Sequence, residues 1–191
     1  MTKHPKKKEQ ILQTAGRLFM RFGFKRISVE EICAKASVSK MTFYKYFPNK
    51  SELIKVWWNE IIDEAFDRFN EVDSSDIPFS EKIKFFLKLK KEYAEKLSGE
   101  FINEYMGVDP EMKSLFNSVY ERSAQWFLEF IADAQERGNV RRDMRPEFMM
   151  IVINKLLELP NEPGIKNLYP IYSDLVMEIN NFLFYGILER E

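Results

Sequence analysis

The sequence predicts an all-α fold of about nine helices, and three observations carry that expectation. Apolar residues recur at helical spacing through most of the chain; capping residues, Gly and Pro stand where one pattern stops and the next starts; and no stretch sustains the period-two alternation of a strand. With 191 residues, 45% of them hydrophobic and 15% aromatic, and only 7 Gly and 8 Pro, the chain can bury one compact domain or two small ones. That composition excludes a disordered, collagenous or low-complexity chain, and no internal repeat is present.

From Glu9 onward Ile11, Leu12, Ala15, Leu18, Phe19 and Phe22 form one helical stripe, and Gly23 ends it. Ser28-Val29-Glu30-Glu31 has the form of a capping box, which opens a short second helix ending near Ala36. Ser37-Val38-Ser39 makes a tight turn into a third helix, Lys40 to Phe47, which Pro48 halts. Asn49 and Glu52 cap a fourth helix. In it Leu53, Trp57, Ile61 and Ala65 line one row, with Ile54, Trp58, Ile62, Phe66 and Phe69 beside it. After the breaker at 73–78, helical patterns resume at about 79–97 and 99–106. A longer helix starts at Asp109-Pro110 and ends at Gly138, and two more follow at about 146–159 and 168–188. Between those two, Pro160 to Gly164 reads as a loop by composition.

Charge divides the chain. Residues 1–58 hold 13 basic and 4 acidic residues, whereas the remainder holds 16 basic and 26 acidic. A basic segment joined to an acidic one suits a protein whose first part meets a polyanion while its second part is repelled by it. The same composition narrows the other classes. The single cysteine, Cys33, cannot form an internal disulfide, and with the single histidine, His4, it makes no zinc set, so neither a metal nor a cofactor is expected. No Gly-rich phosphate loop and no nucleophile–base pair can be placed, which speaks against an enzyme. The longest apolar run, Phe148 to Ile153, is too short to span a membrane, and the first 15 residues lack a signal-peptide core. A soluble, cytoplasmic protein is expected.

The second and third helices, joined by a short turn, describe a helix-turn-helix, the unit that inserts its second helix into the DNA major groove. Ile27, Ile32, Cys33, Ala36, Val38, Phe43 and Phe47 can face inward against the first helix. Lys40, Thr42, Tyr44, Lys45 and Tyr46 then point outward. Lysines neutralise phosphates and hydroxyls reach base edges or backbone oxygens, so this row suits duplex DNA.

The stretch from Ile11 through Gly23-Phe24-Lys25-Arg26-Ile27-Ser28-Val29-Glu30-Glu31-Ile32 and Ser37-Val38-Ser39-Lys40-Met41-Thr42-Phe43-Tyr44-Lys45-Tyr46-Phe47-Pro48-Asn49-Lys50 to Leu53 resembles the N-terminal domain of the tetracycline-repressor (TetR) family of bacterial transcriptional regulators. The specific part covers about residues 8–55; the rest is similar in helix count, length and layout. The resemblance implies an N-terminal DNA-binding domain at 1–50, three helices with a helix-turn-helix, followed by a helical effector-binding and dimerisation domain at 51–191. It implies DNA contacts from Lys40, Met41, Thr42, Tyr44, Lys45 and Tyr46, a phosphate contact at Ser28, and a phosphate clamp at Lys50. Two departures stand out. Ser37 occupies a turn position where the family usually has Gly, and Met41 one where a small or polar residue is common.

The resemblance also implies a homodimer on a palindromic operator, with half-sites about 34 to 36 Å apart. Its function would be that of a ligand-responsive regulator, a repressor released by a small, mostly hydrophobic effector. The alternatives are an activator, or a helical ligand-binding dimer that does not use DNA. Met149, Ile153, Leu156 and Leu157, with Leu175, Ile179, Phe182 and Leu183 of the last helix, can build a four-helix dimer interface, or can simply be core. Phe66, Phe69, Phe86, Tyr93, Phe101, Tyr105, Phe116, Tyr120 and Phe127 permit a hydrophobic effector pocket, and equally fill a core. Glu60, Glu64, Glu92 and Glu104 could add a partner for a cation or stay solvated on the surface.

Overall fold

The computed structural model describes residues 6–98, 101, 104, 110–156 and 158–187, the side chains of 110–116, 118–120, 161, 166, 186 and 187 lying outside that description. Among these residues the chain is all-helical, with nine α-helices and one 3-10 turn. They are α1 Lys6–Phe22, α2 Val29–Lys35, α3 Lys40–Tyr46, α4 Lys50–Asp73, α5 Phe79–Glu95, α6 Pro110–Glu136, α7 Pro146–Leu156, α8 Pro163–Leu168 and α9 Tyr172–Ile187. The helix expected at 99–106 lies mostly outside the described residues. No helix among them is long and apolar enough to cross a membrane.

Packing groups the chain into two compact units, Met1–Glu64 with Lys96–Phe116, and Ala65–Glu95 with Asn117–Glu191. These units are defined by contact, whereas the expected division after residue 50 is one of function. α4 begins at Lys50 and supplies residues to both.

In the first unit α1, α2 and α3 pack on one another around Ile11, Leu12, Ala15, Phe19, Ile27, Ile32, Cys33, Ala36, Phe43 and Phe47, all buried. Leu53, Ile54, Trp57 and Trp58 of α4 close this core. Gly16 marks the closest approach, because a Cβ there would overlap the Trp57 indole. α1 stops at Gly23, whose φ of +79° only glycine adopts without strain and whose N–H donates to the Phe19 carbonyl at 2.8 Å.

The second unit is built on aromatic packing. Phe69, Ile83, Leu89, Phe130, Ile131, Ala134, Val140, Met149 and Phe184 form its buried cluster. Trp126 stacks on Phe130 with centroids 5.5 Å apart and its indole N–H donates to Asn70 Oδ1 at 3.2 Å. α5 packs along α9. The buried Lys82 reaches the C-terminus of α4, donating to the Asp73 backbone carbonyl and pairing with its carboxylate at 3.3 Å. An ammonium at a helix C-terminus satisfies orphan carbonyls and opposes the negative end of the macrodipole.

One stretch departs from expectation. The region 160–164 is not a plain loop, since Leu159–Asn161 form a 3-10 turn and Pro163 starts α8. Proline at the first helical position removes an N–H that has no partner there anyway, so composition alone misreads it. The last helix starts at Tyr172 rather than 168, because Pro170 disfavours helical backbone at Tyr169, which sits at φ −126°, ψ 81°.

Candidate nucleic-acid interface

The helix-turn-helix is set by two serine caps. Ser28 Oγ accepts the Glu31 N–H at 3.1 Å and opens α2. Ser39 Oγ accepts the Thr42 N–H at 3.1 Å and opens α3, and it lies 3.0 Å from the Thr42 hydroxyl. Ser39, read in sequence only as the end of the turn, is thus the N-cap of α3, a position that serine favours. The turn between the helices passes through Ser37 at φ 51°, the left-handed conformation that explains the family preference for glycine there.

With both helices fixed, sidedness follows. Phe43 and Phe47 are buried, while Lys40, Met41, Tyr44 and Lys45 are exposed and Thr42 and Tyr46 half-buried. Met41 is 82% exposed, so its bulk stands at the crown of the outward row. Tyr44 packs edge-on against Phe43 at 5.3 Å, which directs its phenol outward without leaving the ring unsupported. Burial pushes the Cys33 thiol up, as suits a core residue rather than a nucleophile.

Three ionic features of this face were not visible in sequence. Lys40 pairs with Glu30 across the two helices; the hydrogen bond and charge of Lys40 hold the Glu30 carboxyl below its ordinary range and, reciprocally, Glu30 raises Lys40. Lys50 Nζ donates to the carbonyls of Phe24 and Ile27, each at 2.9 Å, so this ammonium fastens the α1–α2 connection to the start of α4. Glu104, weighed above as a solvated acid or a cation partner, instead takes the backbone N–H groups of Phe24 and of Lys25, the latter at 3.1 Å. Its carboxylate lies where a Cβ at Gly23 would stand, 2.8 Å away, so the glycine also makes room for it. Residues some eighty positions apart carry no local signal of such a contact.

A family model described as bacterial regulatory proteins, tetR family, matches residues 11–56, a span that contains every one of these features up to α4 except the Glu104 carboxylate. Over residues 11–56, then, the chain matches the DNA-binding domain of the TetR family. It is 24% identical over 127 residues to the uncharacterized HTH-type transcriptional regulator YuxN of Bacillus subtilis (strain 168), a match covering 64% of this chain and 44% of that protein. It is 30% identical over 77 residues to the uncharacterized HTH-type regulator YhgD of the same strain, covering 40% of each. The matched stretch thus spans less than half the length of these two curated relatives. Among solved structures, the fatty acid degradation regulator FadR from Bacillus halodurans superposes with a TM-score of 0.75 at 18% identity, covering 99% of this chain and all of that one. At that identity the likeness establishes the fold.

The rest of the chain lies beyond the matched residues 11–56. Of the aromatics expected at a pocket, Phe66, Phe69, Phe86, Tyr93 and Phe127 lie in the second unit, Phe69 fully buried and the others half-buried. Phe101 is not with them; it is buried in the first unit against Phe24, at 4.6 Å, and Trp58, at 5.4 Å. Tyr105 and the side chains of Phe116 and Tyr120 lie outside the described residues. Glu92 is taken by Arg68 at 3.0 Å. Of the expected dimer residues, Met149 and Leu175 are buried within the chain, Ile153, Leu156, Ile179 and Leu183 are half-buried, and Phe182 is 71% exposed; Leu157 lies outside the described residues. Beside them Phe148 and Ile151, which belong to the apolar run of α7, and Tyr185 on α9, which the sequence did not single out, are large apolar side chains left in solvent.

Proposed function

We propose that this chain is a TetR-family, ligand-responsive DNA-binding transcriptional regulator, a repressor that a small, mostly apolar effector releases from a palindromic operator. One observation carries the reading: α3 buries Phe43 and holds Lys40, Met41, Tyr44 and Lys45 outward on a capped, three-helix support. A helix fixed on one side and loaded with cations, a phenol and a hydroxyl on the other suits a phosphate-lined groove wide enough for one helix. Lys40, Lys45 and Lys50 supply charge to the backbone, while Thr42, Tyr44, Tyr46 and Met41 stand where base edges would be. Ser28, at the start of α2, offers a hydroxyl to a flanking phosphate.

Dimerisation completes the device, since one short helix reads too few base pairs to select an operator. Phe148 and Ile151 on α7, and Phe182 and Tyr185 on α9, are spaced three apart and form apolar stripes that solvent does not favour. Effector control then follows from linkage. A ligand that prefers a conformation in which the two reading heads no longer match the operator lowers DNA affinity by the same factor, typically about 1 to 3 kcal/mol of coupling.

The test is fluorescence anisotropy of the purified chain on genomic duplexes, titrated against salt. Thr42→Ala is expected to weaken the preferred site by about 1 to 3 kcal/mol and leave scrambled DNA unchanged. Equal loss on both sequences refutes base reading by Thr42, and absence of binding to any duplex at low ionic strength refutes the DNA reading itself.

A further inference from the structure

Oxidisable side chains are unevenly placed in the first unit. The Cys33 thiol is buried, and so are the Trp57 and Trp58 indoles of α4. Met20, in the last turn of α1, is half-buried. Met41 is the exception, 82% exposed on the outward row of α3. Elsewhere among the described residues Met144, Met150 and Met177 are half-buried and Met149 is buried, which leaves Met41 as the methionine presented most openly to solvent.

Oxidation of a thioether follows access, because its lone pair must reach the oxidant and no deprotonation precedes the attack. At Met41 a peroxide meets that lone pair without any movement of the chain. The sulfur attacks one peroxide oxygen. An S–O bond forms as the O–O bond breaks, sulfur gives up two electrons, and the second oxygen takes the proton of the first and leaves as water. The product is methionine sulfoxide, a polar and chiral group in place of an apolar one, and sulfoxide reductases reverse the change.

The neighbours of Met41 give that change its consequence. Lys45 follows by four residues, shares the stripe of α3 that carries Met41, and is exposed. On a helix the later side chain leans back over the earlier one. A sulfoxide oxygen accepts hydrogen bonds that a thioether sulfur accepts only weakly, so it would compete for the Lys45 ammonium. Lys40, the residue before Met41, is already held by Glu30. Oxidation thus sets the negative end of an S–O dipole on the outward row and gives a second of its lysines an internal partner.

We infer that Met41 is a site of reversible oxidation by peroxide on the DNA-reading face, and that its sulfoxide lowers affinity for the preferred duplex until it is reduced. This rests on the DNA reading of α3 and adds a chemical input separate from any effector.

The experiment treats the full chain with hydrogen peroxide and follows two readouts. Mass spectrometry should find one added oxygen on the tryptic peptide Met41–Lys45 about tenfold sooner than on the peptide carrying the buried Met149. Fluorescence anisotropy should show the oxidised chain weakened about tenfold or more on the preferred duplex, as loss of an apolar base contact and of a phosphate contact implies. Methionine sulfoxide reductases A and B together should restore the affinity, and preferred duplex bound beforehand should slow oxidation of Met41. Met41→Leu has no sulfur at this position; whatever its own affinity, peroxide should leave that affinity unchanged. Met41 oxidised no faster than Met149, an oxidised chain of undiminished affinity, or a Met41→Leu chain that loses as much as the parent each overturns the inference and leaves the DNA reading standing. An untreated chain that binds no duplex removes the DNA reading, and the inference falls with it. Should Met41→Leu not bind DNA, the reductases still decide: affinity that does not recover as the Met41 peptide loses its oxygen overturns the inference.

Discussion

Replacing Lys50 by methionine separates two roles that one ammonium can serve. The substitution keeps the aliphatic stem and removes the two hydrogen bonds to the carbonyls of Phe24 and Ile27, both 2.9 Å. A hydrogen bond to a charged group contributes about 1.5 to 3 kcal/mol where it is buried. Lys50 is half-buried, so water can replace part of that, and about 2 kcal/mol for the pair is the expected loss. For a chain of this size that lowers the melting temperature by roughly 4 to 8 °C, if unfolding is two-state. The second readout is electrostatic. A lysine that also meets a phosphate contributes about 0.9 to the slope of log affinity against log salt, and Lys50→Met should reduce the slope by that amount on every sequence alike. Calorimetry and anisotropy at several salt concentrations read the two effects independently. An unchanged melting temperature refutes the fastening role derived from the carbonyl geometry; a lower one with an unchanged slope confines Lys50 to that role and removes it from the DNA contacts.

Three further outcomes follow from local geometry. Ser37→Gly relieves left-handed strain of about 1 to 2 kcal/mol at an exposed residue, against about 0.5 to 1 kcal/mol of extra chain entropy, so a net gain of about 0.5 to 1 kcal/mol is expected as a higher urea midpoint at unchanged slope. Gly16→Ala forces a methyl into the Trp57 indole and should destabilise by about 1 to 3 kcal/mol or more, with a shift in tryptophan emission; a neutral result means α1 and α4 separate more easily than their packing suggests. Phe182→Glu, at a side chain 71% exposed, should leave the fold intact by circular dichroism and turn a dimer into a monomer in sedimentation, and a dimer that survives it places the subunit interface elsewhere.

The parts of the fold that were legible are those with short-range causes. α1, α2 and α3 are set by an apolar stripe, a capping box and a proline stop, all within a few residues of where they act, and the inward set from Ile27 to Phe47 is buried apart from the half-buried Val38. Periodicity located α4 and α5 equally well, but it cannot say which side chains of an apolar stripe meet the chain's own core. Met149 and Phe148 are adjacent, and one is 2% exposed while the other is 59%. That difference is decided by which way α7 is rotated on its neighbours, information held by residues far away in sequence. Charge pairing was the least legible. Lys50, expected at a phosphate, also holds the carbonyls of Phe24 and Ile27 at 2.9 Å, contacts that only the folded chain brings together.

The internal partners of the reading face bear on how it would meet DNA. Lys40 is already paired with Glu30, and the Thr42 hydroxyl already lies 3.0 Å from Ser39 Oγ. In the proposed complex a phosphate reaching Lys40 must therefore exchange places with a carboxylate rather than with water and mobile ions. The exchange gains little energy and leaves Glu30 unneutralised beside the phosphate backbone, a repulsion that grows with every phosphate not compensated by another lysine. Such a pair disfavours loose encounters, in which Lys40 alone touches the backbone. It is tolerated where Lys45 and Lys50 engage at the same time. On this argument Glu30 acts for selectivity by subtraction: removing its charge with Glu30→Gln should tighten binding to scrambled DNA more than binding to the preferred site, and an equal gain on both would show that the pair only sets the level of affinity.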